Sequence, residues 1–205
     1  TPWTLPANTG LAVHPELDYA IIKTDKGRFV VAKALVENLK NKNVFTEVEI
    51  REIRKGQEYV ERLAGHPFLS RDSKVISADY VSATDGTGIV HIAPGHGEDD
   101  YKYGYIDNKL PILSPVNHWG KFTADFKEGE GLHVLKAGNL KVIEILQAKG
   151  MLVHQEKYSH SYPHCWRCKK PIIFRATPQW FMKIEHENLR ARMSKAIQSE
   201  IKFTP

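Results

Sequence analysis

The stretch "DGTGIVHIAPGHGEDDY", residues 85–101, compresses a glycine-rich turn, a short strand and a helix start into one continuous run. From Ile89 to Ala93 the residues are apolar except His91. Period-two alternation puts His91 on the face opposite Val90 and Ile92, so burying those two turns the imidazole toward a cleft or solvent. Pro94-Gly95-His96-Gly97 then turns sharply, and Asp99 and Asp100 fall in the first turn of a helix. Exposed amides and the helix dipole favour an ionised carboxylate there, and a fixed carboxylate can grip an ammonium group. Acids at a helix start are also ordinary caps, and a strand histidine is also ordinary packing. These residues alone leave both readings open.

Upstream, "LDYAIIKTDKGRFVVAKAL" alternates into a hairpin around Asp25-Lys26-Gly27, with a short helix expected near residues 34–40. "TEVEIREI" alternates strictly, and "KVISADYVSATDGTGIVHIAP" reads as two strands joined through Asp85-Gly86-Thr87-Gly88. Downstream, "GEDDYKYGYI" predicts a short helix, and "KAGNLKVIEILQAKG" a longer one with Leu140, Ile143, Ile145 and Leu146 on its apolar stripe. The fold class is therefore mainly β with peripheral helices, arranged as a barrel or a sandwich. At residue 158 the character changes. Residues 1–157 form a β-rich core, while 158–205 form a basic extension with a Cys-x-x-Cys stretch and a C-terminal helix striped by Leu189, Met193 and Ile197.

The 205 residues allow a substantial core, and 26% charged with 41% hydrophobic residues suits a globular chain in water. No apolar run approaches the ~20 residues of a membrane helix and no secretory signal opens the chain, so a cytoplasmic protein with no membrane partner is expected. The net charge of +5 suits a polyanionic partner such as nucleic acid.

Cys165 and Cys168 are the only cysteines, too few for a disulfide framework. They supply two of the four ligands of a structural zinc, with His160 and His164 alongside. They are either ordinary reduced thiols or half of a zinc knuckle completed elsewhere. His91 and His96, five apart across a Pro-Gly turn, match no zinc spacing, so no metal is expected in that cluster. Gly-x-Ser-x-Gly, Walker and Gly-x-Gly-x-x-Gly signatures are all missing, which leaves water as the expected nucleophile of any reaction.

"TPWTLPAN" at residues 1–8, "GTGIVHIAPGHGEDDY" at 86–101 and "HSYPHCWRCKKPIIFRATPQWF" at 160–181 occur in an order that resembles the editing insertion of bacterial-type isoleucyl-tRNA synthetases. The valyl and leucyl relatives characteristically carry Thr-Thr-Arg-Pro where this chain has Thr-Pro-Trp. The resemblance implies a barrel-like editing domain, called CP1, excised from a longer synthetase whose ATP-using centre lies outside it. "RMSKA" at 192–196 imitates a signature of that centre but sits within a helical stripe.

It further implies hydrolysis of valine wrongly esterified to the 3′ end of tRNA(Ile), and of valyl-adenylate, without a cofactor. Asp100 matches the aspartate that binds the substrate amino group, and His91 the histidine that blocks isoleucine. Thr1 and Thr4 fall on a threonine-rich strand lining the reacting carbonyl, with Trp3 and Asn8 beside them. Asp100, Thr1 and Thr4 are thus the candidate catalytic residues, and Trp3, Asn8, His91 and Asp100 the candidate substrate-binding ones. The basic charge and "CWRCKKP" also fit a non-catalytic tRNA-binding insertion or a zinc-dependent nucleic-acid module.

Overall fold

The computed structural model describes residues 1–157, 159 and 161–204. The described residues form two sheets, and neither closes into a barrel. The first contains β1 (Gly10–Val13), β5 (Leu63–Gly65), β6 (Asp72–Ser77) and β7 (Val90–Ile92) in the order β5-β6-β1-β7. The second contains β2 (Asp18–Thr24), β3 (Gly27–Ala32) and β4 (Val48–Lys55), all antiparallel, in the order β3-β2-β4. The expected hairpin is β2-β3, which turns through Asp25 and Lys26 into Gly27, whose φ of 124° suits a residue without a side chain. The short helix expected after it is α1 (Val36–Asn41).

Sheet order corrects one expectation. β6 and β7 do not form a hairpin through Asp85–Gly88, because β1 lies between them, parallel to β6 and antiparallel to β7. Alternation identifies strands but not their neighbours, and a parallel pair needs a long connection, here the whole second sheet. A second correction concerns the N-terminal strand. Pro2–Ala7 is a 3-10 turn, and β1 begins only at Gly10. Pro2 and Pro6 have no backbone N–H to give a ladder, while their fixed φ suits a tight turn.

Trp3, Phe122, Phe126, Val134, Val142 and Leu146 form one apolar cluster, which fastens this turn to α2 (Asn139–Ala148). The Trp3 amide also donates to Asn139 Oδ1 at 3.1 Å. The buried stripe of α2 runs through Val142 and Leu146, with Ile145 packed beside it, whereas Leu140 is 61% exposed. The buried stripe thus differs from the expected one: Val142 joins Leu146, and Leu140 faces solvent in the first turn of α2, just after an irregular π-type turn, Val134–Gly138. In the extension, α3 (Leu189–Ser199) is helical as expected, but Met193 and Ile197 stay about half exposed.

Tyr19 ties the two sheets together from full burial. Its hydroxyl donates to Gly88 O at 2.7 Å and accepts from the His14 amide at 3.0 Å. Tyr19→Phe should cost about 1–3 kcal/mol, because it strands a buried carbonyl and amide. Urea unfolding with an unchanged slope would measure this.

Candidate active site at the junction of the N-terminal turn and β7

β7 pairs with β1 in the register Leu11↔His91, which brings His91 alongside the segment leading out of the N-terminal turn. Ile92 is fully buried and the partly buried His91 points the other way, toward Thr4 and Asn8. His91 Nε2 lies 2.9 Å from Thr4 Oγ1, and Nδ1 lies 3.2 Å from Asn8 Nδ2.

The neighbours fix the protons. Asn8 Nδ2 also donates to Gly10 O at 2.8 Å, while its Oδ1 accepts from the buried Ser73 hydroxyl. A carbonyl can only accept, so Nδ2 must face Gly10 and His91, and His91 Nδ1 must be the bare nitrogen. Nε2 then carries the hydrogen and gives it to Thr4, whose own proton goes to the Thr1 carbonyl at 2.8 Å. Burial is the largest of the causes that pull the His91 pKa down to about 4, followed by the Thr1 amino group and by His66 and His96. The ring is neutral at neutral pH and both its nitrogens are engaged.

Asp100 begins a π-helical stretch, Asp100–Asp107, and is partly buried. Its Oδ2 accepts the Ala93 amide at 2.9 Å, so it ties the strand end rather than capping its own helix. Burial, reinforced by the neighbouring Asp99, pushes its carboxyl above the usual range, although the Ala93 bond opposes this. Asp100 forms no ion pair among the described residues. A half-buried carboxylate with one amide donor and no cation among the described residues keeps an oxygen able to accept a cationic partner. The glycines of Pro94–Gly97 let the backbone fold this tightly: a Cβ at Gly95 would sit 2.0 Å from Leu113 O.

The structure thus gathers Thr4, Asn8 and His91 into one network, joins Thr1 to it through its carbonyl, and sets Asp100 just past the end of β7. Trp3 does not join them. It is 5% exposed, inside the apolar cluster and edge-on to His96 with ring centroids 5.0 Å apart, so it anchors the turn instead of forming a wall. Thr4 and His91 touch directly, with no gap between them. A cleft of about 470 Å³ opens beside the same loop, between Pro94–Gly97 and residues Phe174–Phe181. An apolar cavity of about 260 Å³ lies elsewhere, between β3 and α1, and neither space is lined by Thr4, Asn8, His91 or Asp100.

Sequence reasoning missed the loop that holds the turn in place. Arg71 Nε donates to Asn8 O at 3.0 Å and its Nη2 to Pro6 O, while His66 Nε2 bonds Leu5 O at 2.9 Å. More than 60 positions separate these partners, so no local spacing could have shown them.

At the other end, Cys165 accepts backbone hydrogen bonds from Cys168 and Arg167, which lower its thiol pKa. That turn suits a thiolate ligand. His160 lies outside the described residues, and among the described residues no group of three or more His, Cys, Asp or Glu side chains is placed to hold a metal.

Comparison with known proteins decides the kinship. The whole chain aligns with isoleucine-tRNA ligase of Thermotoga neapolitana at 46% identity and with that of Nitratidesulfovibrio vulgaris at 47%, covering 22% of each. The enzyme of Carboxydothermus hydrogenoformans is 49% identical over 90% of the chain. The chain corresponds in full to a segment of isoleucine-tRNA ligases. It spans about a fifth of the length of these ligases. No family model matches the chain. In fold it resembles the crystal structure of GlLeuRS-CP1, with a TM-score of 0.50 at 20% identity over 73% of this chain and 66% of that one. The mainly β, CP1-type fold therefore stands. Among the described residues no helix is long and apolar enough to cross a membrane.

Proposed function

We propose that this part of the ligase hydrolyses valine from wrongly charged tRNA(Ile), and valyl-adenylate, while sparing isoleucine. The observation that carries the reading is Asp100: a half-buried carboxylate without a cation, at the lip of a strand whose next outward residue is His91. The need for such a site is physical. A pocket made for isoleucine rejects valine by only ~1–3 kcal/mol, and this amino-acid pair is the standard illustration of that limit.

Asp100 binds the α-ammonium of the esterified valine. The His91 ring, held neutral, presents a fixed edge that admits valine and stops the larger side chain. Water adds to the ester carbonyl carbon, the carbon–oxygen bond to the ribose breaks, and the proton from water passes to the departing ribose oxygen. The products are valine and tRNA(Ile) with a free terminal hydroxyl. Neither ring nitrogen of His91 is free to act as base. The Thr4 proton is already given to Thr1 O, so Thr4 can only accept a hydrogen bond from the water it orients. Thr1, joined to Thr4 through its carbonyl, contributes a second hydroxyl, and backbone amides stabilise the oxyanion. A neighbouring ribose hydroxyl of the substrate assists the proton transfer.

Because Thr4 and His91 are in contact, the ester lies along the edge of the pair. The +5 charge supports docking of the tRNA 3′ end, and the remaining ligase chain is the other partner. Cys165 and Cys168 fit two ligands of a structural zinc completed by another segment, a metal that would shape the extension only.

The test is deacylation by the full-length ligase of valyl-tRNA(Ile) against isoleucyl-tRNA(Ile). His91→Ala should make isoleucyl-tRNA a substrate, with a rise of about tenfold or more, while valine hydrolysis falls far less. Intact isoleucyl-tRNA in that variant removes His91 as the size gate.

A further inference from the structure

Ser73 comes from β6, two strands away from His91, yet it is linked to the histidine through a single side chain. Ser73 is 3% exposed and Asn8 2% exposed, so neither can exchange its partner for water. The Ser73 hydroxyl donates to Asn8 Oδ1, and Gly10 O accepts from Asn8 Nδ2 at 2.8 Å. The amide is thus gripped at both ends in one orientation. Its remaining hydrogen is aimed at His91 Nδ1 at 3.2 Å.

We infer that Ser73 and Asn8 are a positioning pair that imposes one tautomer and one ring orientation on His91, with Asn8 acting through the histidine rather than on the substrate. The consequence is directional. With Nδ1 capped by a donor, the ring can present only an N–H at Nε2, so it is kept from accepting a proton from the attacking water and from turning away from Thr4. Arg71 fixes the backbone of the same residue by bonding Asn8 O at 3.0 Å, so side chain and main chain of Asn8 are set independently. The inference bears on specificity only if the proposed editing function is right, but the tautomer stands on the geometry alone.

The test reads both in the full-length ligase. With 15N-labelled histidine, the wild-type His91 ring should show a protonated Nε2 and a bare Nδ1. Asn8→Asp turns a donor into an acceptor and should move the hydrogen to Nδ1. Ser73→Ala should lower the ratio of valyl- to isoleucyl-tRNA hydrolysis by about tenfold, the effect of one lost hydrogen bond in the gate, and Ser73→Thr should restore it.

A His91 that keeps Nε2 protonated in Asn8→Asp overturns the pair. So does a Ser73→Ala ligase in which both hydrolysis rates fall by the same factor, since loss of fold alone would act equally on both. If Asn8→Asp does not fold, the Ser73 variants decide by the ratio and its rescue. If the tautomer shifts as stated but the wild type hydrolyses neither ester, the positioning pair survives and the editing function fails.

Discussion

Asp100→Asn should nearly abolish hydrolysis of valyl-tRNA(Ile) while leaving the protein as stable as before or slightly more so. Asparagine can still accept the Ala93 amide through Oδ1, so the tie to the strand end survives. The charge does not. Removing one partner of a desolvated, hydrogen-bonded ion pair costs ~2–5 kcal/mol, a loss in kcat/KM of about thirty-fold to several-thousand-fold. In the protein without substrate the same carboxylate is a burden, since burial raises its pKa and no cation offsets it. Activity and stability should therefore move in opposite directions, as measured by single-turnover deacylation and by thermal unfolding. Were Asp100 a mere structural tie, the variant would be unstable or unchanged, and its deacylation rate would follow its stability.

The second large effect is acid instability centred on His91. Its folded pKa is about 4 against an ordinary ~6.5, so the neutral ring favours the folded state. That contribution is fully present above pH ~6.5 and is lost as the pH falls toward 4, amounting to ~3 kcal/mol at most. His66 and His96 are also held below the ordinary value by burial and add to the same slope. Asp100 works against it: a carboxyl raised in the folded state gains stability as it protonates in acid. His91→Gln keeps an N–H and an acceptor but does not titrate. Denaturant unfolding between pH 7 and 4 should show a shallower decline in that variant, and identical pH slopes would contradict the buried neutral ring.

Much of the fold was legible because local rules coincide with global ones there. Asp25-Lys26-Gly27 closes a hairpin through a turn that needs a positive φ, and the β2 and β3 alternation survives intact. His91 was placed on its own face by alternation alone, and the structure puts it there. What stayed hidden was nonlocal. β1 inserts between β6 and β7, and nothing in the 72–92 segment records that another strand will take its edge. Pro2 and Pro6 favour a turn over a regular strand in the first residues, which runs against the strand the family resemblance implies there.

The candidate site divides the same way. Strand phase and helix start single out His91 and Asp100 as candidates, while packing and capping read equally well from the same residues. The grip of Ser73, Arg71 and His66 on residues 5–8 exists only once β6 and its preceding loop fold back beneath the turn. Trp3, named beside the threonines as a candidate contact, is placed in the core, where its area fastens the turn to α2.

A crystal structure of the full-length ligase with a non-hydrolysable valyl-adenosine ester analogue tests the central claim most directly. The account predicts the ligand ammonium within hydrogen-bond distance of the Asp100 carboxylate, the isopropyl group against the His91 ring, and the ester carbonyl beside Thr4. An ammonium held by other groups, or an analogue seated in the cavity between β3 and α1 with Asp100 untouched, would contradict it.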